Sequence, residues 1–334
     1  MLGKVAIIGA TTWGTTLGII LARKKIPVSL LVRTSVEALD LNTHRRHLRF
    51  LPDAEFPETL TVASDVEEVL ASARLVVIAV PSHQLRSNIR KIRDAIPPNA
   101  IVLTAAKGLE LPEGRRMSRV LEEELPVGLH QGICALSGPN FAKEIVQDKL
   151  ASTVVAGRDP RKVEEAQAIL MSNSFRVYTS DDIVGVELAG ALKNIIAIGA
   201  GIADGLKAGD NGKAAFITRG LAEITRLGVA AGAQPLTFAG LAGLGDLIGT
   251  CASPLSRNRY VGEQLALGKI WPEIQESMDN VAEGVNTASA ALAMAEELGV
   301  EMPITQVTHR VLFQGMSPQE AIAELMGRPA RSEW

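Results

Sequence analysis

Residues 5–18 read VAIIGATTWGTTLG. An apolar run ends at Gly9, and a helical pattern opens near Gly14. A short buried strand feeding a helix through spaced glycines is the opening of a dinucleotide-binding βαβ unit, with the fingerprint G-x-G-x-x-G. Gly9 permits the tight turn, and Gly14 lets the helix lie close against the sheet. The middle glycine normally lets the backbone approach a pyrophosphate held at the helix N-terminus. Here that position is Thr11. Its Cβ crowds the phosphates, or its hydroxyl donates to one. The stretch alone is compatible with either outcome, and with an ordinary strand-to-helix turn.

The pattern repeats outward from this unit. Val28–Val32, Leu75–Val80, Ile101–Thr104 and Ile133–Leu136 are short apolar or β-branched runs bounded by Gly, Pro or polar turns. Helical patterns such as Trp13–Lys24 and His83–Ile92 lie between them. Strands that are apolar on both faces and alternate with helices predict a parallel sheet covered on both sides. Two more strand-like runs, Thr153–Ala156 and Phe175–Tyr178, flank a helical stretch at Pro160–Leu170. After about Thr179 only helical patterns follow, at 182–205, 212–231, 259–267, 284–298, 304–314 and 318–326. The expected fold is α/β. A Rossmann-like dinucleotide-binding domain with a mostly parallel sheet spans 1–180, and an all-helical substrate and catalytic domain spans 181–334.

Composition narrows the function. With 334 residues the chain suits two domains, and its 34 basic and 37 acidic residues leave a net charge of −3. That balance gives no electrostatic reason to expect nucleic acid as a partner. The one basic knot, HRRHLR at 44–49, reads as a solvated face. Cys134 and Cys251 form neither a metal-ligand spacing nor a disulfide framework, so no metal site and a reducing cytoplasm are expected. The N-terminus runs into a strand without the pattern of a signal peptide. Residues 183–203, IVGVELAGALKNIIAIGAGIA, are long and apolar enough to cross a bilayer, yet they contain Glu187, Lys193 and Asn194. No second such segment is evident, so this reads as a buried core helix and no membrane insertion is expected.

Several residues could carry chemistry. The second strand runs into Arg33, with no acid until Glu37. A cation there suits the 2′-phosphate of NADP, or tolerance of both NADP and NAD. Lys193 sits among Val, Leu, Ala, Ile and Gly, where burial would lower its pKa toward proton exchange at neutral pH. That is the acid a hydride-transfer enzyme needs for a forming alkoxide. Asp246 lies in the Gly-rich segment LAGLGDLIGT, followed by Ser256, Arg257, Asn258 and Arg259, a composition suited to gripping phosphate. Lys107 in TAAKGLE and Gly138 in SGPNF each follow a strand, at the edge where α/β folds bind ligands.

Taken in order, IGATTWGTTLG, AVPSHQLR, AAKGLE, SGPNFAKE, FRVYTSDDIVGVELAGALKNIIAIGAGIADGL, GDNGKAAFITRGLAE, GLAGLGDLIGTCASPLSRNR, VAEGVNTA and EMPIT resemble the bacterial-type NAD(P)-dependent glycerol-3-phosphate dehydrogenases nearly end to end. The resemblance implies reversible reduction of dihydroxyacetone phosphate to sn-glycerol 3-phosphate by NADPH or NADH, supplying the glycerophospholipid backbone, in a cytoplasmic homodimer. It implies Lys193 and Asp246 as the catalytic pair. It implies Lys107, Gly138, Asn140, Lys193, Asp246, Ser256, Arg257 and Asn258 around the substrate. For the cofactor it adds Thr12, Trp13, Arg33, Lys107, Ala142, Arg257, Val281 and Glu283 to Gly9 and Gly14 of the fingerprint. Two positions depart from the family pattern: Thr11, where glycine is usual, and Asn140, where Ser or Thr is usual. The competing readings are a related two-domain 3-hydroxyacid or 6-phosphogluconate dehydrogenase, and a nucleotide-sensing protein without turnover.

Overall fold

The computed structural model describes residues 3–278, 281–330 and 332–333. Its strands are β1 (Lys4–Ile8), β2 (Val28–Leu31), β3 (Arg46–His47), β4 (Leu51–Glu55), β5 (Leu60–Ala63), β6 (Ala73–Ile78), β7 (Ile101–Thr104), β8 (Leu109–Glu110), β9 (Arg115–Arg116), β10 (Ile133–Ser137), β11 (Ala151–Gly157) and β12 (Phe175–Ser180). Eight of them form one sheet in the order β12-β11-β10-β7-β6-β1-β2-β5. Every neighbouring pair is parallel except β10 with β11. The mostly parallel sheet follows from the strand composition. Alternate residues face opposite sides, so Val5 and Ile7 enter one core while Ala6 and Ile8 enter the other. Strands buried on both faces must be apolar throughout. One expected element set was incomplete: Leu60–Ala63, LTVA, is not among the predicted runs, yet it forms the edge strand beside β2.

Beyond β12 the described chain is helical. The helix Ile183–Gly205 is its axis, contacting the helices at 209–230, 246–252, 257–266 and 283–298 as well as β10. Its side chains share one core with Ala6, Ile8, Val76, Ile78 and Val102 of the sheet. The two halves of the chain are therefore packed through a common apolar interior. Close approach is set by glycine: a Cβ on Gly262 would lie 1.9 Å from the Ile198 carbonyl oxygen, so the helix Arg257–Ala266 can rest directly on the axis helix.

Two expectations need correction. Pro235–Ala252 is a second stretch long and apolar enough to span a membrane. In the fold it is broken into Pro235–Ala239, a π-helical turn at Leu241–Gly245, and Asp246–Ala252. The Gly-rich sequence permits this bend, and it turns Asp246 into the interior. The HRRHLR segment is also not a solvated face throughout. The β3–β4 hairpin folds back over the fingerprint turn, which buries His47 with its Nε2 3.1 Å from the Ala10 carbonyl. Arg45 donates to the carbonyls of Phe56, Pro57 and Leu60.

Gly262→Ala is expected to destabilise the protein by about 1–3 kcal/mol, because backbone, not a flexible side chain, occupies the space for the methyl group. The midpoint of urea unfolding measures this, and an unchanged midpoint would contradict the packing described.

Candidate active site

The ends of β1, β6, β7 and β10 lie along the same edge of the parallel strands, and the candidate residues collect there. Gly9 has φ +105°, and a Cβ on Gly14 would lie 2.2 Å from the Gly9 carbonyl oxygen. Both fingerprint glycines are thus required by geometry. The Thr11 hydroxyl is turned into the protein. Thr11 is the N-cap of the helix Thr12–Arg23: its Oγ1 accepts from the Gly14 N–H at 3.1 Å and donates to the Ala79 carbonyl at 2.8 Å. The Thr15 N–H bonds back to the Thr11 carbonyl. This leaves the N–H groups of Thr12 and Trp13 without partners among the described residues, the donors that a pyrophosphate requires. The loop therefore fits a dinucleotide.

Across the strand edge lies a buried ion triad. Asp246 Oδ2 accepts from Lys107 Nζ at 2.8 Å, and Asp246 Oδ1 accepts from Lys193 Nζ at 2.9 Å. Side-chain exposure is 19% for Lys107, 6% for Lys193 and 3% for Asp246, so water does little to screen the three charges. Lys107 also donates to the Gly138 carbonyl, and Lys193 to Thr250 Oγ1. The Thr250 hydroxyl in turn donates a hydrogen bond to the Asp246 carbonyl. An ammonium carries three N–H donors. Among the described residues each lysine has two engaged and one left for a bound oxygen atom.

These contacts set the ionisation. Burial lowers the Lys193 pKa to about 8, with Asp246 opposing that shift and Lys107 reinforcing it. For Asp246, burial alone would raise the pKa, but Lys107 and Lys193 overcome it and hold the carboxylate below its ordinary range. Burial, reinforced by Lys107, outweighs the opposing Asp246 charge at Lys193.

A second network braces this centre. The Asn194 Nδ2 group donates to the Gly190 carbonyl at 3.3 Å, and its Oδ1 accepts from Asn258 Nδ2 at 2.9 Å. Asn258 Oδ1 then accepts from the Gly284 N–H at 3.0 Å. The neighbouring Glu283 receives both the N–H and the hydroxyl of Ser82, just past β6. Glu283 thus ties the helical half to the sheet side, while Asn258 joins two helices within the helical half. Ser256 caps the helix Arg257–Ala266 through the Arg259 N–H. That puts Arg257 and Asn258 in the first helical turn, two residues earlier than the sequence pattern predicts.

The structure brings Lys107, Gly138, Lys193, Asp246, Asn258 and Glu283 into this connected set. Arg257 keeps surface open to solvent, but burial around its guanidinium lowers its pKa against the opposing Glu283 charge, and it has no hydrogen bond among the described residues. Arg33 is exposed at the end of β2, and among the described residues only its backbone N–H is engaged, by Glu37. Asn140 Nδ2 donates to Thr153 Oγ1, which itself donates to the Ser137 carbonyl, leaving Asn140 Oδ1 buried without a partner among the described residues. Ala142 lies beside the fingerprint helix, its carbonyl 3.4 Å from Thr16 Oγ1. Trp13 packs edge-on against Phe175, and Val281 lies partly open to solvent. Sequence reasoning missed Thr250 and Ser82, and gave Asn194 no defined partner. The spacing D-x-x-x-T, which places Asp246 and Thr250 on one helix face, was the available signal for the first.

Comparison with known proteins decides what carries this arrangement. The N-terminal profile of the NAD-dependent glycerol-3-phosphate dehydrogenases matches residues 4–163, and their C-terminal profile matches 182–323. The chain belongs to this dehydrogenase family. It is 49% identical over 333 residues to the glycerol-3-phosphate dehydrogenase [NAD(P)+] of Dehalococcoides mccartyi, covering 99% of this chain and 93% of that one. The corresponding protein of Chlorobium limicola is 45% identical, with 98% and 99% covered. The crystal structure of glycerol-3-phosphate dehydrogenase from Coxiella burnetii superimposes with a TM-score of 0.92 at 36% identity, covering 98% of this chain and 99% of that one. A ketopantoate reductase from Ralstonia eutropha, at 18% identity and a TM-score of 0.60, shares the fold alone.

Asp246→Asn removes the charge that raises the Lys193 pKa, so the Lys193 midpoint should move below about 8. Site-resolved NMR of the lysine Cε resonance measures it. A midpoint near the ordinary lysine value in the parent protein would contradict the burial-dominated account.

Proposed function

We propose that the chain catalyses the reversible reduction of dihydroxyacetone phosphate to sn-glycerol 3-phosphate with NADH or NADPH. One observation carries this reading. Lys193, a buried lysine with its pKa lowered to about 8, keeps one N–H donor free beside a second lysine and a shared carboxylate. A ketone becoming an alkoxide needs that donor, and the net positive triad favours the charge that develops. The nicotinamide supplies the hydride when bound. Lys193 delivers the proton to the carbonyl oxygen, and in the reverse direction the neutral amine takes it back from the hydroxyl. Asp246 holds Lys193 and Lys107 at fixed separation.

Within this reading Lys107, Gly138, Asn140, Ser256, Arg257 and Asn258 complete the substrate site, with the unpaired Arg257 guanidinium offered to the phosphate. Gly9, Thr12, Trp13, Gly14, Ala142, Val281 and Glu283 hold the cofactor together with Lys107 and Arg257, and Arg33 faces a 2′-phosphate. The division near residue 180, between the two profile matches, separates a cofactor half from a catalytic half. We further propose a cytoplasmic homodimer that supplies glycerophospholipid synthesis and does not insert into the membrane.

The test is nicotinamide absorbance with dihydroxyacetone phosphate, run with each cofactor. Oxidation of neither in folded protein would overturn the reading. Lys193→Ala should lower turnover by about 10²–10⁴-fold while NADPH affinity stays near that of the parent. Comparable turnover would remove Lys193 from its role. Arg33→Ala should weaken NADPH much more than NADH, and equal losses would mean that Arg33 does not read the 2′-phosphate.

A further inference from the structure

Thr11 is the one residue of the fingerprint that departs from its glycine pattern, and its hydroxyl both donates and accepts a hydrogen bond inside the protein. It donates to the Ala79 carbonyl just past β6 and accepts from the Gly14 N–H. A glycine at this position could make neither bond. The first bond fastens the turn after β1 to the neighbouring strand end. The second satisfies one of the orphan donors at the start of a 12-residue helix. The remaining free amides, those of Thr12 and Trp13, are held in place by a turn that is anchored on both sides.

We propose that Thr11 is a positioning residue for the pyrophosphate. Its side chain fixes the fingerprint turn in the binding conformation before the ligand arrives, replacing the intimate backbone approach of glycine with a pre-ordered loop. The inference rests on the dinucleotide reading of the site. The pyrophosphate is bound by Thr12 and Trp13, and the Gly14 amide is withheld from it. The cost of ordering the loop is then met in folding and not in binding, which favours affinity. The effect must be common to every ligand carrying a pyrophosphate and absent for one that lacks it.

The test is Thr11→Val, which keeps the branched shape and removes the hydroxyl, read by calorimetric titration with NADH, NADPH, ADP-ribose and 2′-AMP. Loss of a cap predicts that the three pyrophosphate ligands weaken by one common factor, about three- to tenfold. The affinity for 2′-AMP should not change, and Thr11→Ser should restore the parent affinities. Thr11→Ala, with folding checked by circular dichroism, gives the same reading if the valine variant does not fold. Tighter binding of the pyrophosphate ligands would mean that the hydroxyl competes for the Gly14 amide, and unchanged binding with a lowered melting temperature would reduce Thr11 to a structural cap. Either result overturns the proposal, as does a parent protein that binds none of the three ligands. A parent protein that binds them but does not reduce dihydroxyacetone phosphate would contradict the proposed reaction while leaving the role of Thr11 supported.

Discussion

The Asp246 carboxylate between two lysines is the interaction on which the site depends. Lys107 comes from the loop after β7, whereas Lys193 and Asp246 come from the helical half. A buried carboxylate with a single cation would gain little over its lost hydration, and removing one partner of such a pair costs about 3–5 kcal/mol. With two cations the carboxylate stays charged and fixes both ammonium groups. The excess positive charge is then left for an anionic ligand. Stability and chemistry are thus drawn from the same three side chains.

The axis helix Ile183–Gly205 makes this possible, because it is packed into both halves at once. Glu187 on its first turns receives the Ser118 N–H at 2.7 Å and pairs with Arg116 at 2.8 Å, anchoring it to the sheet side. Lys193 and Asn194 follow less than two turns later, deep in the apolar interior. At the far end Asp204 receives Lys213 at 2.7 Å and Arg259 at 2.6 Å, which steadies the helix that presents Arg257. Rigid placement from three sides is what lets a long, flexible lysine side chain hold one geometry.

Much of this was legible in the sequence because the signals are local. Continuous apolar runs specify parallel strands, and a lysine within a buried helix has few alternative explanations, so β1, β6, β7, β10 and Lys193 could be read directly. Other features depend on partners distant in the chain. The direction taken by the Thr11 hydroxyl is fixed by Ala79, the burial of His47 by Ala10, and the side-chain bonds of Asn258 by Asn194 and Gly284. Helical periodicity likewise could not reveal that 235–252 breaks into three pieces, since glycines such as Gly243, packed against the Phe238 backbone, permit the bend without specifying it. Ala142 and Val281 enter the proposed cofactor site through the family resemblance alone, since no local physical signal marks them.

The central claim is that burial sets Lys193 to exchange a proton near pH 8. The direct measurement is the pH dependence of kcat/KM in both directions between about pH 7 and 9.5, since this quantity reports the ionisations of the free enzyme. The reduction needs protonated Lys193 and should decline as pH rises through about 8. The oxidation needs the neutral amine and should rise with the same midpoint. Flat profiles, or a shared midpoint near the ordinary lysine value, would contradict the account.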